Sequence, residues 1–385
     1  MAWPVVVPRL RVGACFRFEG GVTIVTSGDG RRKRVSGHDI ARLAGVSQST
    51  VSRVINDHPR IAPETRERVR KAMEELGYTP NAAARTLITG RSHLIGLVVS
   101  NISNPFYPPL VEAIVNAAED AGFHVILGNA QEDATRQLEF LRLLAEHQVD
   151  GAILTSALGA IAPELSRFAE TGPPLVLVNR VLPDARIDSV LIDNERGGYL
   201  ATEHLIALGH TRIAYVGGNQ DASTNHQRFA GFRQAMEDAG IPVPDDHVNH
   251  GDYTRLSGSI IAKRLLQLPE PPTALVCADD LIALGCMEGL HAAGLQVPDD
   301  VALVGFDDIP SASLHGIGLT TVRQPTVEMG ERAVKLMLDR LEHQDRAPVV
   351  DMLPAELIIR TSCGTPRGAS VRQRQRAKHS GAAAS

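Results

Sequence analysis

Polar side chains that can hydrogen-bond the edge of a planar partner are concentrated in one short stretch near the start of the chain. Between residues 47 and 56, the apolar residues Val51, Val54 and Ile55 recur at helical spacing and would face inward. The other side of that helix carries Gln48, Ser49, Ser52, Arg53 and Asn56. Glutamine can bond adenine, and arginine can donate twice to guanine. The pattern predicts a helix that reads base edges in DNA, against the alternative of a solvated polar face.

Neighbouring elements can hold this helix in place. Ser36 and Asp39 have the spacing of a capping box, which predicts the start of a preceding helix. Gly45 suits the left-handed residue that ends that helix, and Ser47 can cap the next one. Pro63 fits the first turn of a third helix, whose inner stripe is Val69, Met73 and Leu76. Three short helices with a tight turn between the first two predict a helix-turn-helix.

The charge distribution favours a polyanion partner for this part of the chain alone. Residues 1–91 contain 16 Lys and Arg against 8 Asp and Glu, whereas the remaining residues contain 23 against 36. The formal net charge of −5 over 385 residues therefore conceals a basic N-terminal part and an acidic body. Charge by itself also fits an ordinary solvated surface, so the helix pattern decides between the two readings.

The stretch DIARLAGVSQSTVSRVIN at 39–56 resembles the headpiece of the lactose/galactose repressor family of bacterial transcription regulators. The resemblance continues through PETR at 63–66, LGYTPN at 76–81 and ARTL at 84–87. It then covers a sensor region that ends at about residue 362, and only residues 1–35 and the tail fall outside it. Several linked blocks match in order, which makes the resemblance specific.

The family resemblance implies roles for individual residues of the headpiece. Gln48 and Ser49 would set operator specificity, and Arg53 would read guanine. Residues that bind phosphates or position the helix would be Ser47, Thr50, Ser52, Asn56 and Arg85. In the resembled family, the segment Asn81–Leu87 orders as a hinge helix in the minor groove, and Leu87 would wedge between base pairs. The alternative for Leu87 is packing against the sensor domain.

From His93 onward, short β-rich runs alternate with amphipathic helices. The first pair is Leu94–Val99 and 108–121, and a late helix spans 327–342. Alternation over this length predicts parallel sheets with helices on both faces, divided into two similar lobes with a cleft between them. The predicted fold class is multidomain: an all-α helix-turn-helix headpiece followed by an α/β two-lobed effector domain that resembles periplasmic binding proteins.

These patterns give a predicted domain order. The N-terminal extension and the C-terminal tail are expected to be disordered. The predicted boundaries are 1–34 for the extension, 35–80 for the headpiece, 81–91 for the hinge helix and linker, 92–363 for the effector-binding and dimerisation domain, and 364–385 for the tail. Within the effector domain, lobe 1 would comprise about 93–193 and 325–347, and lobe 2 about 194–321 and 348–362.

The cleft is predicted to bind a small molecule, because open α/β sheets bind ligands at the carboxyl ends of their strands. Residues at positions that match the family's effector pocket are Phe106, Tyr107, Asn179, Asp193, Thr224, Arg228, Tyr253, Asp279 and Asp307. Aromatic faces can stack on sugars or purines, and Arg228 can grip two hydroxyls or a carbonyl. Core packing remains the alternative for the aromatic residues, and helix capping for Asp193.

A sugar or sugar derivative is the expected effector, because paired acidic and basic side chains beside aromatic faces suit a polyol. The purine-binding branch of the family has an additional Arg at the position of Ala222, and this departure disfavours a purine. His226 lies nearby in sequence, so a phosphorylated metabolite remains an alternative effector. The family implies release by an inducer, with co-repression as the alternative.

The motif search disfavours an enzyme, since the chain has no G-x-S-x-G elbow, P-loop, H-E-x-x-H or strand-following G-x-G-x-x-G. Its four cysteines are scattered without metal spacing, so no metal and no cofactor are expected. A soluble sugar-binding protein without a regulatory role is the rival for residues 93–362. The headpiece and the lack of a signal peptide disfavour it.

The expected partners are operator DNA and a second copy of the chain. One headpiece reads too few base pairs for genomic specificity, so a homodimer on a near-palindromic site is predicted. The tail after Cys363 has no Leu for a tetramerising heptad repeat. No apolar run approaches the roughly 18 residues of a membrane span. The expected location is the bacterial cytoplasm, in association with the nucleoid.

Overall fold

The computed structural model describes residues 35–55, 58, 60–78, 90–155, 157–182 and 186–364. The chain divides into two compact units, with the boundary between Arg85 and Thr86. The extension at 1–34, the predicted hinge helix at 81–87 and the tail from 365 onward lie outside the described residues. What the sequence predicts for them stays a prediction.

Three helices form the described part of the first unit: α1 (Gly37–Ala44), α2 (Gln48–Ile55) and α3 (Pro63–Glu75). Their shared core contains Ile40, Ala41, Ala44, Val51, Val54, Val69 and Ala72. Each of these residues comes from the apolar side of its helix, as the 3.6-residue period requires. The predicted helix-turn-helix is confirmed.

The ends of these helices also agree with the helix ends predicted from the sequence. The Asp39 carboxylate accepts hydrogen bonds from the backbone N–H of Ser36 at 3.0 Å and from its hydroxyl at 2.7 Å. Gly45 ends α1 with a φ of 63°, a left-handed conformation that costs glycine little. Pro63 lies in the first turn of α3, where its missing N–H has no helical partner to lose.

The second unit alternates strands and helices. Its strands are β1 (Leu94–Val99), β2 (His124–Asn129), β3 (Gly151–Leu154), β4 (Leu175–Val178), β5 (Asp188–Ile192), β6 (Ile213–Gly217), β7 (Val248–His250), β8 (Ala274–Cys277), β9 (Ala302–Asp307), β10 (Thr320–Arg323), β11 (Val350–Leu353) and β12 (Glu356–Ile358). Its α-helices are α4 (Tyr107–Asp120), α5 (Ala134–Glu146), α6 (Ala162–Thr171), α7 (Asn194–Ala207), α8 (Ser223–Asp238), α9 (Arg255–Leu265), α10 (Asp280–Ala292) and α11 (Thr326–Glu342). Short 3-10 helices lie at Gly159–Ile161, Asp245–His247 and Pro310–Ser313.

Two six-stranded sheets organise this unit into two lobes. The sheet of lobe 1 has the order β11-β5-β4-β3-β1-β2, and all its pairings are parallel. The sheet of lobe 2 has the order β12-β10-β9-β8-β6-β7, and β12 alone pairs antiparallel, against β10. This arrangement confirms the predicted two-lobed α/β fold. No described helix is both long and apolar enough to cross a bilayer.

The lobe boundaries differ from the prediction near the C-terminal end. Residues 350–353, which the sequence pattern assigned to lobe 2, form β11 and pair with β5 in lobe 1. The chain therefore crosses between the lobes three times, after β5, after β10 and after β11. The strand was missed because Val350 and Met352 are exposed at a sheet edge, so the segment lacks the continuous apolar run of a central strand.

Close packing of two helices in lobe 2 fixes the base of the cleft. A Cβ added at Gly198 on α7 would lie 2.1 Å from the carbonyl oxygen of Arg228 on α8, and one at Gly231 would lie 1.9 Å from that of Glu195. Such distances exclude any side chain without a backbone shift. The two glycines therefore let α7 and α8 approach closely enough to set the position of Arg228.

Candidate functional site: an exposed polar helix face and a buried polar cavity

The polar side of α2 is open to solvent. Gln48, Ser49 and Arg53 are exposed, whereas Val51 and Val54 on the opposite side are 1% and 5% exposed. The apolar residues hold the helix to α1 and α3, so the polar face is left without a packing role. Its donors and acceptors are available to an external partner.

Hydrogen bonds organise the first turn of α2. The Ser47 hydroxyl accepts from the backbone N–H of Thr50 at 3.1 Å, which is the predicted helix cap. Its oxygen also lies 2.8 Å from the hydroxyl oxygens of Ser49 and Thr50. Thr50 and Ser52 are partly exposed. The other headpiece residues assigned from sequence, Asn56, Arg85 and Leu87, lie outside the described residues.

A polar cavity lies between the two lobes of the second unit. Its lining combines aromatic, charged and amide side chains: Asn104, Phe106, Tyr107, Glu132, Asn179, Arg180, Thr224, Arg228, Tyr253, Asp279 and Asp307. Eight of the nine effector residues assigned from sequence are among them. The ninth, Asp193, is not.

Parallel strands bring several of these side chains together, because three of them lie at or just after the carboxyl end of a strand. Asn179 follows β4, Asp279 follows β8, and Asp307 is the last residue of β9. Asn179 has a φ of 70° and Asp307 a φ of 120°, which is unusual for residues other than glycine. Backbone strain of this kind clusters at ligand sites, where the surrounding structure maintains it.

Arg228 is the most extensively bonded side chain at the base of the cavity. Its Nε donates to Oδ1 of Asn194 at 2.8 Å, and its Nη1 donates to the carbonyl oxygen of Ala278 at 2.5 Å. Nη1 also lies 3.6 Å from Oδ1 of Asp307, and the guanidinium lies 3.6 Å from the ring centroid of Phe306. These contacts hold the guanidinium in one orientation toward the cavity.

The cavity carboxylates have pKa values near neutrality. Burial and the charge of Asp307 together raise the pKa of Asp279 to about 7, against the backbone hydrogen bond from Ile282, the charge of Arg228 and the hydrogen bond from Asn104. Burial raises the pKa of Asp307 to about 6, while Arg228 and the amide of Gln324, which donates at 2.6 Å, oppose the shift. Groups in this range exchange protons when a ligand changes their surroundings.

A second ion pair, between buried Arg180 and partly exposed Glu132, lines the cavity and was not predicted. Nη1 and Nη2 of Arg180 donate to the two carboxylate oxygens of Glu132 at 2.8 and 2.9 Å. The Arg180 guanidinium also lies 5.6 Å from the ring centroid of Tyr253, which belongs to lobe 2. Arg180 and Glu132 both follow strands, as do the assigned residues, so position after a strand was the signal that could have found them.

Asp193 has a local role at the start of α7. Its carboxylate accepts from the backbone N–H of Arg196 at 2.9 Å and caps the helix, so the assignment to the cavity does not hold. The next residue, Asn194, is the one that reaches the site, through Arg228. Helix capping explains an aspartate after a strand as well as ligand binding does, and the two roles have the same local sequence pattern.

Direct hydrogen bonds join the lobes around the cavity. The amide of Asn104 in lobe 1 donates to Asp279 in lobe 2 at 3.3 Å. The backbone N–H of Val181 donates to the hydroxyl of Ser223 at 3.0 Å, and that of Gly159 donates to the carbonyl of Asp221 at 3.3 Å. The lobes are therefore closed on each other. No cluster of three metal-ligating side chains occurs in the described ranges.

Comparison with known proteins identifies both units. Residues 38–81 match the bacterial regulatory proteins of the lacI family, and residues 92–361 match the periplasmic binding proteins and sugar-binding domain of the LacI family. The chain belongs to the LacI family. LacI-family relatives are transcriptional regulators, so this chain is a DNA-binding transcriptional regulator and not an enzyme.

Individual relatives align over nearly their whole length. The regulator CelR of Thermobifida fusca is 38% identical over 86% of this chain and 99% of its own length. The repressor PurR of Vibrio parahaemolyticus is 34% identical over 84% of this chain and 97% of its own length.

Solved structures of the LacI family show the same fold. A lac repressor dimer bound to operator and the anti-inducer ONPF aligns with a TM-score of 0.77 at 30% identity, over 86% of this chain and 100% of that one. A complex of the regulator CelR with cellobiose aligns with a TM-score of 0.66 at 35% identity, over the same shares of the two chains.

Proposed function

We propose that this regulator binds a near-palindromic operator as a dimer and represses carbohydrate-utilisation genes until a small sugar-like inducer releases it. The observation that carries the DNA-binding part is the face of α2, where Gln48, Ser49 and Arg53 are exposed beside buried Val51 and Val54. A recognition helix contacts base edges with residues near its N-terminal end, where Gln48 and Ser49 begin α2, and Arg53 lies on the same exposed side in the last turn.

Each polar residue of the headpiece has a proposed role. Gln48 and Ser49 form the specificity pair, and Arg53 reads guanine through two parallel hydrogen bonds. Phosphate binding and positioning are assigned to Ser47, Thr50, Ser52, Asn56 and Arg85. Leu87 inserts between base pairs in the minor groove, where the cost of unstacking is offset by DNA bending.

The effector site is the cavity between the lobes. Its proposed ligand-binding residues are Phe106, Tyr107, Asn179, Thr224, Arg228, Tyr253, Asp279 and Asp307, and Asp193 is withdrawn because it caps α7. Carboxylates and a guanidinium beside aromatic rings suit the hydroxyl groups and apolar faces of a sugar. Two related regulators have been solved with sugars, one with cellobiose and one from Enterococcus faecium with ribose.

A co-repressor-dependent regulator that responds to a purine or a phosphorylated metabolite is the second candidate. Several similar relatives are PurR repressors, which favours it. Ala222 disfavours a purine effector. It is fully buried at the start of α8, and it offers no side-chain donor where the purine-binding branch has arginine. We therefore rank this candidate below a sugar-responsive repressor.

Effector binding and operator binding are coupled through the arrangement of the two lobes. An effector that binds one arrangement of the lobes more tightly shifts the population toward that arrangement. Lobe 1 begins at β1, directly after the linker from the headpiece, so a change in its orientation would alter the spacing of the two hinge segments in a dimer. Linkage requires that operator DNA change the effector affinity by the same factor.

The dimer is supported by apolar side chains on the surface of the effector domain. Leu256 and Ile260 lie one helical turn apart on α9 and are 71% and 58% exposed. An apolar pair of this exposure is suited to burial against a second copy. We expect the dimer to act in the cytoplasm, in association with the nucleoid through its operators.

The test begins with DNA selected from a random library by the full-length protein, followed by fluorescence anisotropy on the selected duplex. We expect a two-fold symmetric site and a steep loss of affinity with salt. Sugars, sugar acids, sugar phosphates and purines are then added to the complex. Release by a sugar supports the proposal, and tightening by a purine would replace it with the co-repressor alternative.

Leu87→Ala separates specific from non-specific contacts in the same assay. We expect the headpiece to stay folded and the affinity for the selected operator to fall much more than the affinity for random duplex. The reason is that the wedge can act only on a site that bends to receive it. Equal loss on both duplexes would remove the proposed role.

A further inference from the structure

The guanidinium of Arg180 is already paired before any ligand arrives. Its Nη1 and Nη2 atoms meet the two carboxylate oxygens of Glu132 at 2.8 and 2.9 Å, and the arginine side chain is 3% exposed. The loop after β2 fixes Glu132, which has a φ of 57° and donates its backbone N–H to the carbonyl of Ser100 at 2.9 Å. An anionic ligand would have to displace Glu132 to gain these charge-assisted hydrogen bonds.

The described lining of the cavity contains more acidic than basic groups. Asp307 lies 3.6 Å from Arg228, and Glu132 is paired with Arg180. Asp279 has no Lys, Arg or His nitrogen within 4.0 Å in the described part of the chain. Both arginines of the described lining therefore already face carboxylates, so an anion finds no unpaired cation there, and whenever Asp279 is ionised its negative charge also repels an anion in a site of low dielectric.

Two buried polar atoms indicate what the ligand must supply instead. Nε of Arg180 and Oδ1 of Asn179 have no hydrogen-bond partner among the described residues, and the two residues are 2% and 6% exposed. One atom requires an acceptor and the other requires a donor. A sugar hydroxyl group supplies both, whereas a carboxylate or phosphate oxygen placed at this point only accepts and can serve Arg180 Nε but not Asn179 Oδ1.

We propose that Glu132, by pairing with Arg180, makes this cavity select an uncharged polyol and reject sugar acids and sugar phosphates. This inference rests on the proposed function, since it concerns the effector of the same cavity. Glu132 is a positioning residue that acts through Arg180: it orients the guanidinium and cancels its charge.

The substitution Glu132→Gln, which removes the negative charge and keeps the size of the side chain, tests the proposal in the full-length protein. Thermal shift and calorimetry compare D-glucose with D-glucuronate, D-galactose with D-galacturonate, and D-ribose with its 5-phosphate. We expect a neutral sugar to bind the wild type and its acidic counterpart to bind only weakly. In E132Q the free Arg180 donors should improve binding of the acidic counterpart by about tenfold or more, while the neutral sugar weakens.

Two further variants separate charge selection from damage to the fold. In the double variant E132Q/R180Q the guanidinium is absent, so the gain for the acid should disappear. Glu119→Gln, on the exposed side of α4, should keep the wild-type preference. Circular dichroism of each variant shows that it is folded. If E132Q alone is unstable, the comparison of each neutral sugar with its acidic counterpart on the wild type still tests the charge selection.

Three results would overturn the proposal. The first is an acid or phosphate that binds the wild type as tightly as its neutral counterpart. The second is a folded E132Q that gains no affinity for any acid, and the third is a panel in which no sugar binds any variant. Operator binding is measured on the same preparations, so that loss of charge selection with intact operator binding refutes this inference and leaves the regulator function standing.

Discussion

Nη1 of Arg228 and Oδ1 of Asp307 lie 3.6 Å apart, and both side chains are buried between the lobes. The same guanidinium holds Asn194, the residue at which the chain enters lobe 2 after its first crossing. A ligand that bonds Arg228 and Asp307 therefore acts on a crossing segment through a single intermediate side chain. The position of Arg228 makes it the residue whose removal should separate ligand binding from DNA binding.

Arg228→Ala should leave the headpiece intact and abolish the response to effector. We expect operator affinity within about threefold of the wild type and an effector requirement raised by about 100-fold, since charge-assisted hydrogen bonds are lost. Anisotropy of the operator complex, titrated with whichever sugar releases the wild type, measures both. Arg233→Ala on the exposed side of α8 is the matched control. Release of the variant at the wild-type concentration would refute the assignment.

Arg53→Ala should relax base specificity at one position of each half-site. Loss of a two-donor contact to guanine costs about 1–3 kcal/mol of discrimination. Affinities for the selected operator and for single-base variants of it measure the effect. Lys71→Ala, exposed on α3 outside the reading face, serves as control and should alter affinity uniformly or not at all. An Arg53 variant with an unchanged base preference would argue that α2 binds DNA in a different orientation.

The cavity carboxylates predict how stability depends on pH. Burial raises the pKa of Asp279 to about 7 and that of Asp307 to about 6, whereas unfolded carboxyls titrate near pH 4. Between these values the folded state holds protons that the unfolded chain has released. The stability from these groups is complete below about pH 4 and is lost as the pH rises through 6 and 7.

Urea unfolding at pH 5 and pH 8 tests this dependence, with Asp279→Asn as the comparison. The asparagine does not titrate, so the free energy of unfolding of the variant should fall less between the two pH values. Sugar hydroxyls that donate to the carboxylates favour their ionised forms, so effector binding should release protons near pH 7. A variant with the same pH dependence as the wild type would show that Asp279 is already ionised in the free protein.

Gly198→Ala should destabilise the effector domain. Its Cβ would lie 2.1 Å from the backbone carbonyl oxygen of Arg228, so α7 and α8 must separate, at a cost of about 1–3 kcal/mol. Thermal unfolding measures the loss, and the effector response should weaken with it because Arg228 moves. Gly159→Ala is the control, since its Cβ would approach no atom closer than 3.7 Å. Equal stability of the two variants would contradict the close-packing explanation.

Much of the fold could be predicted from the sequence, because local signals and tertiary structure agree. The capping box at Ser36, the left-handed Gly45 and the apolar stripe of α2 specified the headpiece without any knowledge of packing. Central strands such as β1 and β8 are continuous apolar runs between helices, which only a buried parallel sheet explains. Such segments can be predicted because their apolar sequence pattern coincides with burial in the structure.

The remaining features depend on contacts between distant parts of the chain. β11 carries exposed Val350 and Met352 at an edge, so its assignment to lobe 1 follows only from its pairing with β5. Glu132 and Arg180 are 48 residues apart, and nothing in either local sequence indicates that they meet. Asp193 illustrates the reverse case, in which a capping residue occupies a position that resembles a ligand-binding one.

The triple crossing between the lobes limits how this protein can be re-engineered. Because each lobe is assembled from separate stretches of sequence, neither can be transplanted into another regulator as one uninterrupted gene fragment. The three helices of the headpiece, by contrast, are encoded without interruption between residues 37 and 75. A new pairing of operator specificity with effector specificity can therefore be made by recombination at the junction that follows the headpiece. Recombination within the effector domain would leave both lobes incomplete.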